Sequence, residues 1–328
     1  MIITQTPLRV SLFGGGTDFR EFFSEEEGAV LSLAIDKYVY VIVKERYDEK
    51  IYVNYSIKEI VDSVGELKHE LVREAMRRTW IERGVEITTL ADVPSEGSGL
   101  GSSSSILVGL LNAFYAYQGQ QVELGRLAQE ACEIEIDTLG KPIGVQDQYI
   151  AAYGDIRFFE FQKDGTVRAE QLCMVDAQKR RLVSNLLLFY TNKTRQASTI
   201  LSEQKRNIAL RKAELRQLRD MAYQARGLVL KGEFDRMGEM LGRSWERKKK
   251  LASNITSPQI DRMYKRAVKA GALGGKISGA GAGGFLLLYC PRERQDVVRE
   301  AMRQYRELPM QLSRDGSKVV FNIRRYGW

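Results

Sequence analysis

The chain has 328 residues, of which 44% are hydrophobic and 28% charged, and these values are typical of a globular protein with a sizeable core. Its net charge of +8 comes from 50 basic and 42 acidic residues that are largely interspersed, so the pattern does not predict a nucleic-acid-binding stripe. Three widely separated cysteines exclude a disulfide framework or a CxxC zinc site, and a single histidine, His69, excludes most mechanisms that use imidazole.

No segment of the sequence predicts export or insertion into a membrane. Met1 leads into the next residues without a basic region, and the longest apolar run, FLLLYC after Gly284, is far too short to span a bilayer. We expect a cytoplasmic monomer or homodimer that binds neither membranes nor nucleic acid. A modest positive charge also suits an enzyme with small anionic substrates.

The first half of the chain mixes strands with helices. Apolar runs rich in β-branched and aromatic residues predict strands at 7–13, 37–47, 50–56 and 85–93. We expect the third of these strands to pair antiparallel with the second across residues 48–50. Helical spacing predicts helices at 66–80, 102–119 and 123–137. His69 falls in the first helix, at an exposed or half-buried position without a catalytic role.

The second half is richer in helix. Apolar spacing predicts helices at 202–232, 233–252, 257–271 and 294–305, and strands at 284–290 and 319–326. Ser257 as N-cap, Pro258 at the first helical position and Gly271 just past the end define the third helix. The order of elements predicts an α+β fold, with a domain boundary near residue 185 that separates residues 1–185 from 186–328.

A glycine- and serine-rich segment, PSEGSGLGSSSS at residues 94–105, lies between a predicted strand and a predicted helix. Such a composition is typical of a flexible linker or a polar turn, but this position places free backbone N–H groups and a helix N-terminus at one point, where an anion binds readily. It lacks the lysine of a Walker A loop and the spacing of a dinucleotide fingerprint.

Two further glycine-rich loops border regular structure in the same way. In chain order, the first loop, FGGGTD, follows a strand and ends at Asp18, PSEGSGLGSSSS is the middle loop, and the third loop, SGAGAGG, leads into the strand predicted at 284–290. One such loop is weak evidence for a ligand site. Three of them, far apart in the sequence, predict that several segments converge on one anionic ligand.

In this order and at these distances, the three loops resemble the three motifs of the GHMP kinases, and SGLGSSSS matches the middle motif with one extra residue after Pro94. The resemblance covers nearly the whole chain. It implies a two-domain α+β fold, with an N-terminal domain like ribosomal protein S5 domain 2, a ferredoxin-like C-terminal domain and an active site between them. It also implies an ATP- and Mg²⁺-dependent kinase.

Within that superfamily, the motif GGGTD and the segments GVQDQYIAAYGDI, TRQASTILSEQ and GALGGKISGAGAGG resemble the branch of D-glycero-D-manno-heptose 7-phosphate kinases and fucokinase-type enzymes. The resemblance implies transfer of the ATP γ-phosphoryl group to the anomeric hydroxyl of the heptose 7-phosphate, on the route to nucleotide-activated heptose. Val145 stands where members of the branch often carry lysine.

The resemblance also assigns the ATP and metal site. The residues that it implies to cradle the ATP phosphates are Gly97, Ser98, Gly99, Leu100, Gly101, Ser102, Ser103 and Ser104. Ser103 aligns with the hydroxyl that contacts Mg²⁺, an ion that needs few protein ligands because it keeps several waters. Glu135 is the expected carboxylate ligand, and Glu133 and Asp137 are the alternatives.

Two charged residues align with the catalytic pair of the family. Asp147 aligns with the aspartate that takes or orients the proton of the acceptor hydroxyl, and Arg9 with the arginine beside it. Without the resemblance, Asp147 would be interpreted as a helix N-terminal residue and Arg9 as a solvent-facing strand residue.

The acceptor site is assigned to residues of the first and third loops and to basic residues nearby. Asp18 aligns with the carboxylate that binds sugar hydroxyls, and Gly16, Thr17 and Gly281 accompany it. A distal phosphate requires a cation, for which Lys193, Arg195 and Lys276 are candidates and Lys141 a weaker one.

Two other functions remain open at this stage. One is a fucokinase- or galactokinase-like enzyme that acts on an unphosphorylated sugar. The other is a catalytically silent member of the family that binds a ligand or nucleic acid, although the presence of Arg9, Ser103 and Asp147 argues against an inactive protein.

Overall fold

A computed structural model describes residues 1–94, 97–193 and 197–323, which are organised around two β-sheets. The strands are β1 (Ile2–Phe13), β2 (Gly28–Glu45), β3 (Ile51–Asn54), β4 (Lys58–Val61), β5 (Val85–Ala91), β6 (Ile156–Phe161), β7 (Val167–Gln171), β8 (Leu186–Tyr190), β9 (Gly274–Ile277), β10 (Phe285–Tyr289) and β11 (Lys318–Asn322). The larger sheet has the order β11-β1-β2-β5-β3-β4, with β6 paired to β2 and β7 paired to β6, and the smaller sheet has the order β8-β10-β9.

Helices cover these sheets. They are α1 (Arg20–Phe23), α2 (Glu70–Arg78), α3 (Ser102–Tyr117), α4 (Leu124–Cys132), α5 (Gln146–Tyr153), α6 (Asp176–Ser184), α7 (Ala197–Asn207), α8 (Lys212–Leu230), α9 (Phe234–Lys248), α10 (Pro258–Lys269) and α11 (Gln295–Ala301). Short 3₁₀ segments occur at Val64–Glu66, Ala209–Arg211 and Arg292–Arg294, and a π-helical segment at Glu133–Thr138. The predicted α+β class is confirmed.

The core explains the position of α3. Val39, Val41 and Val43 alternate along β2 and are fully buried, which is the period-2 pattern of a strand with one face on a core. Helix α3 is apolar on nearly every side, including Leu107 and Phe114, so it packs against β1 and β2 and is buried along most of its length. Its N-terminus is thereby fixed beside β1, where Ser105 Oγ donates to Pro7 O at 2.8 Å and Gly101 packs against the Arg9 side chain.

The predicted hairpin between the second and third strands is wrong. Strand β5 lies between β2 and β3, and it pairs antiparallel with β2 and parallel with β3. The segment between β2 and β3 instead pairs with Gly84, the residue just before β5: Arg46 N–H donates to Gly84 O at 2.8 Å, and Gly84 N–H donates to Glu49 O at 2.9 Å.

Two predicted helices are divided. The helix expected at 202–232 is interrupted by the 3₁₀ segment Ala209–Arg211, where Ile208 is buried and Leu210 is 81% exposed. The helix expected at 123–137 widens into the π-helical segment after Cys132, a feature that is frequent at functional sites. The helix at 257–271 is confirmed, because the Ser257 side chain accepts from Ile260 N–H and Pro258 is its first residue.

The last strand returns to the first sheet. Strand β11 pairs antiparallel with β1, although the three strands before it, β8, β9 and β10, form the smaller sheet. The boundary at residue 185 falls between α6 and β8 and stays a prediction. No helix within the described ranges is both long and apolar enough to cross a membrane.

The three cysteines and the single histidine differ in their exposure to solvent. Cys132 and Cys290 are buried and Cys173 is exposed, and all three are free. His69 is the half-buried N-cap of α2, where its ring accepts a hydrogen bond from Val72 N–H. Burial lowers the pKa of His69.

Candidate active site

The middle and third glycine loops interlock through bare backbone. Gly99 has φ +71°, and a Cβ atom at this position would overlap the carbonyl oxygen of Ser278. A Cβ atom at Gly284, which has φ +78°, would overlap the carbonyl oxygen of Ser98. The Ser278 hydroxyl donates to Gly99 O at 2.9 Å, so the two loops are also hydrogen-bonded to each other.

Cationic side chains connect the interlocked loops to the rest of the protein. Arg9 on β1 donates through Nη1 to Gly99 O at 2.6 Å. Lys248, the last residue of α9, donates to Gly279 O at 2.5 Å and approaches Gly15 of the first loop. The expected convergence of the three loops is therefore present in the structure.

The N-terminus of α3 has the properties of an anion site. Gly101 is the N-cap with φ +79°, and it makes no side-chain hydrogen bond that would occupy the first N–H groups of the helix. The first turn contains no acidic residue. Ser102 and Ser104 are buried and Ser103 is half-buried, so Ser103 is the most exposed of the three residues. An anion such as a phosphate group is stabilised at such a terminus by N–H donors and the helix dipole.

Gly99→Ala is expected to lower the free energy of unfolding by at least about 2 kcal/mol, because the new methyl group meets backbone and the residue has a positive φ. Denaturation of the variant and the wild type measures this loss. Gly227→Ala in α8 is the control, since no atom lies within 4 Å of its added Cβ, and it is expected to be stabilising by up to about 1 kcal/mol. Equal stability of Gly99→Ala and the wild type would contradict the interlocked arrangement.

The predicted catalytic residues form a bidentate ion pair. Arg9 Nε donates to Asp147 Oδ1 at 2.7 Å, and Nη2 donates to Asp147 Oδ2 at 2.5 Å. The Arg9 side chain is 6% exposed and that of Asp147 is 23% exposed, so the carboxylate still reaches the cleft. The fork geometry fixes the carboxylate plane, which suits a group that must aim at one hydroxyl.

Asp18 lies beside this pair and is almost fully buried. Its Oδ1 accepts from Gly16 N–H at 2.8 Å, and its Oδ2 accepts from Gln146 Nε2 at 2.8 Å. Burial raises the pKa of Asp18, and the negative charge of Asp147 raises it further. Gly144 packs so closely that a Cβ atom there would overlap the Asp18 carboxyl group. The carboxyl group is thus held rigidly in the pocket that Asp18 lines together with Arg9 and Asp147.

Ser103 and Glu135 meet across two helices. The Ser103 hydroxyl donates to Glu135 Oε1, and Ser104 Oγ and Gln148 Nε2 donate to Oε2 at 2.7 Å and 2.6 Å. Glu135 is fully buried, and Lys141 Nζ lies 3.6 Å from its Oε1. The π-helical segment carries this carboxylate towards the start of α3.

The two alternative carboxylates point elsewhere. Glu133 forms an ion pair with Arg78 at 2.8 Å, and Asp137 forms one with Arg20 at 2.6 Å. Both of these acidic side chains are more than a third exposed, Glu133 at 34% and Asp137 at 45%. Glu135 alone among the three contacts Ser103 in the part of the chain that the structure describes.

The donor set at this point fits Mg²⁺. Ser103 and Glu135 supply a hydroxyl and a carboxylate, which are the hard oxygen ligands that this ion prefers. Gln148 Oε1 is buried beside them and has no hydrogen-bond partner among the described residues. The described ranges contain no group of three or more His, Cys, Asp or Glu side chains that could by itself hold a metal ion.

The other predicted substrate residues have varied positions. Gly16, with φ +108°, lines the pocket, whereas Thr17 is fully buried and its hydroxyl donates to Gly14 O and Ala29 O. Gly281, with φ +106°, packs against Ile255. The role of each in substrate binding stays a prediction.

The candidate cations for a distal phosphate also differ. Lys276 is 2% exposed and donates to Leu12 O at 3.2 Å, and burial places its pKa well below the usual value. Lys193 is half-buried, Arg195 lies outside the described residues, and Lys141 is paired with Glu70 at 3.0 Å. None of these assignments is tested by the geometry.

Sequence reasoning missed several polar residues of the pocket. Ser11, Gln146 and Lys248 line it together with Arg9, Asp18 and Asp147. Ser11 Oγ and Gln146 Oε1 are buried without a hydrogen-bond partner among the described residues. Gln146 stands next to Asp147 in the quoted motif GVQDQ, which was a usable signal, whereas Lys248 falls in a basic run that is typical of an exposed helix face.

Comparison with known proteins gives consistent matches. The family model for the GHMP kinases N terminal domain matches residues 66–155, and the model for the GHMP kinases C terminal region matches residues 225–307. A D-glycero-alpha-D-manno-heptose 7-phosphate kinase of Campylobacter jejuni is 31% identical over 320 residues, which cover 92% of this chain and 93% of that protein.

Two further relatives extend the comparison. An L-fucokinase/L-fucose-1-P guanylyltransferase of Bacteroides fragilis is 26% identical over 339 residues, which cover 90% of this chain and 35% of that longer protein. The crystal structure of a D-glycero-D-manno-heptose 1-phosphate kinase from Bacteroides thetaiotaomicron superposes with a TM-score of 0.82 at 26% identity, and the superposition covers 99% of this chain and 100% of that one.

Proposed function

The chain belongs to the GHMP kinases, ATP-dependent phosphotransferases with an alcohol group as acceptor, and from this premise we propose that its acceptor is D-glycero-D-manno-heptose 7-phosphate, phosphorylated at the anomeric hydroxyl. The observation that carries the proposal is the Arg9–Asp147 pair in a pocket beside the glycine loop of α3. The choice of sugar is supported by the named activity of the relative from Campylobacter jejuni. The product would be the 1,7-bisphosphate, an intermediate on the way to nucleotide-activated heptose.

The nucleotide would bind at the interlocked loops. The loop that starts at Gly97 leads into the N-terminus of α3 at Ser102, so backbone N–H groups of the segment from Gly97 to Ser104 would hold the ATP phosphates without any lysine in the loop. Ser103 and Glu135 would hold Mg²⁺, which supplies positive charge to the phosphate oxygens when it is bound.

The acceptor hydroxyl would lie against Asp147. As its oxygen forms a bond to the γ-phosphorus, the bond from that phosphorus to the oxygen retained by ADP breaks, and the hydroxyl proton passes to the Asp147 carboxylate. Arg9 holds this carboxylate in place and presents positive charge beside the transferring group. Asp18 would accept hydrogen bonds from neighbouring sugar hydroxyls.

A panel of acceptors tests the sugar assignment. ATP consumption is measured with D-glycero-D-manno-heptose 7-phosphate, the corresponding 1-phosphate, the unphosphorylated heptose, L-fucose and D-galactose. We expect the highest kcat/KM for the 7-phosphate, at least about tenfold above the unphosphorylated heptose, because a distal phosphate adds charge-assisted contacts. A preference for the 1-phosphate would contradict phosphorylation at the anomeric position.

One observation favours a second candidate, a kinase of an unphosphorylated sugar. Lys276, one of the expected distal-phosphate cations, is buried and donates to a backbone carbonyl group. The similarity to the fucokinase-containing protein supports the same alternative. Fucose or galactose as the best acceptor in the panel would establish it, and the absence of turnover with every sugar would indicate a catalytically silent protein.

A further inference from the structure

Lys248 points inward from a basic run whose other members lie closer to solvent. In the sequence RKKK at residues 247–250, Lys248 is 7% exposed, whereas Arg247 and Lys249 are half-buried and Lys250 is exposed. Lys248 shares its face of α9 with the buried residues Ser244 and Trp245 at the preceding turn. The packing of α9 on the core therefore directs a single lysine of this run into the pocket.

The ammonium group of Lys248 carries more N–H donors than its hydrogen bond to Gly279 O uses. Its Nζ donates to Gly279 O, and a lysine ammonium carries three N–H donors in all. The position of a Cβ atom at Gly15 would lie 3.8 Å from Lys248 Nζ and 3.6 Å from both Ser11 Oγ and Gln146 Nε2. Three polar groups thus surround the space that Gly15, which has no side chain, leaves open.

Lys248 lines the same pocket as three charged residues, namely Arg9 of β1, Asp18 of the first glycine loop and Asp147 of α5. Lys276 of β9 is a further buried charged residue that interacts electrostatically with Lys248. Burial lowers the pKa of Lys248 to about 8, while Asp18 and Asp147 act in the opposite direction and Arg9 in the same one. Two carboxylates and one or more phosphates crowd into this pocket when ATP and a phosphorylated acceptor bind, so a cation here offsets a large negative charge.

We propose that Lys248 is a positioning residue of the acceptor site, and that its ammonium group holds Asp18 in the carboxylate form, so that the acceptor binds productively only while Lys248 is protonated. The proposal rests on the proposed function, because the acceptor is the sugar that Asp18 would bind. It concerns a residue of α9, outside the three glycine loops.

The pH dependence of kcat/KM for the acceptor tests this role. In the wild type it is expected to fall as the pH rises through about 8, because the ammonium group then loses its proton. In Lys248→Arg the alkaline fall is expected to move to higher pH, because a guanidinium stays protonated. In Lys248→Met, kcat/KM for the acceptor is expected to drop on the order of tenfold or more at pH 7, with the KM for ATP changed by less than about threefold.

Lys250→Met is the matched control, since it removes an exposed positive charge two residues away, and it is expected to retain the wild-type profile. An unchanged alkaline fall in Lys248→Arg, or wild-type kcat/KM in Lys248→Met, would overturn the proposal.

A second readout does not depend on turnover. The titration of the Asp18 carboxyl group is followed by ¹³C NMR in the wild type and in Lys248→Met without substrates. Loss of the ammonium group is expected to move the Asp18 transition to higher pH, because the carboxylate loses an opposite charge. If the wild type phosphorylates no sugar, the proposed function fails while this titration still tests Lys248, and an unmoved Asp18 transition would refute the role of Lys248 alone.

Discussion

Asp147→Asn is expected to lower kcat by about 10²- to 10⁴-fold, because the amide cannot take the proton of the acceptor hydroxyl. The substitution keeps the shape of the side chain but turns an N–H₂ group towards the Arg9 guanidinium, which at present donates to both carboxylate oxygens. The acceptor side of the site therefore loses its proton acceptor and the geometry of the ion pair together. ATP affinity is expected to change little, since the loop around Gly99, where we propose that the ATP phosphates bind, is hydrogen-bonded to Arg9.

Single-turnover kinetics and ATP titration calorimetry measure these two effects separately. Asp137→Asn is the matched control, because Asp137 pairs with Arg20 on the surface, with a side chain that is 45% exposed. The control is expected to retain nearly full activity, in keeping with the small energies of exposed ion pairs. Wild-type kcat in Asp147→Asn would refute its catalytic role.

Glu135→Gln is expected to raise the Mg²⁺ concentration for half-maximal activity by roughly tenfold to a hundredfold. Glu135 accepts hydrogen bonds from Ser103, Ser104 and Gln148, and its carboxylate would supply the negative charge that holds the ion. A glutamine at this fully buried position also brings an N–H₂ group against these donors, so some loss of stability accompanies the change.

Ser103→Ala separates the metal effect from the effect on stability. It removes the proposed hydroxyl ligand and leaves the carboxylate bonded to Ser104 and Gln148, so it is expected to raise the Mg²⁺ requirement with little change in the midpoint of thermal unfolding. Glu133→Gln is the control on the same π-helical segment, and it is expected to show the wild-type requirement because Glu133 pairs with Arg78. An unaltered Mg²⁺ dependence in both Glu135→Gln and Ser103→Ala would remove these residues from the metal site.

The glycine loops were predictable from the sequence because their chemistry is local. When a strand, a glycine-rich loop and a helix follow one another directly, the loop lies at the helix N-terminus whatever the remaining fold. The resemblance to the GHMP kinases then placed Arg9 with Asp147 and Ser103 with Glu135, and in the structure each pair is in contact. Their catalytic and metal-binding roles stay predictions.

Lys248 and the strand order were not predictable in this way, because both depend on packing between distant segments. The run that contains Lys248 has the composition of a solvated face, and its inward direction follows only from the position of α9 against β9 and the third loop. The hairpin between β2 and β3 failed for a similar reason: β5, more than 30 residues further along the chain, inserts between them. Short-range patterns do not report such insertions.

The position of the new phosphate tests the central claim most directly. Wild-type protein, ATP, Mg²⁺ and D-glycero-D-manno-heptose 7-phosphate are incubated together, and the product is analysed by ³¹P NMR with coupling to the sugar protons. We predict a second phosphate resonance that couples to the anomeric proton, with the original phosphate unchanged at C7. A new phosphate on any other carbon, or no product from this sugar, would contradict the proposed anomeric kinase.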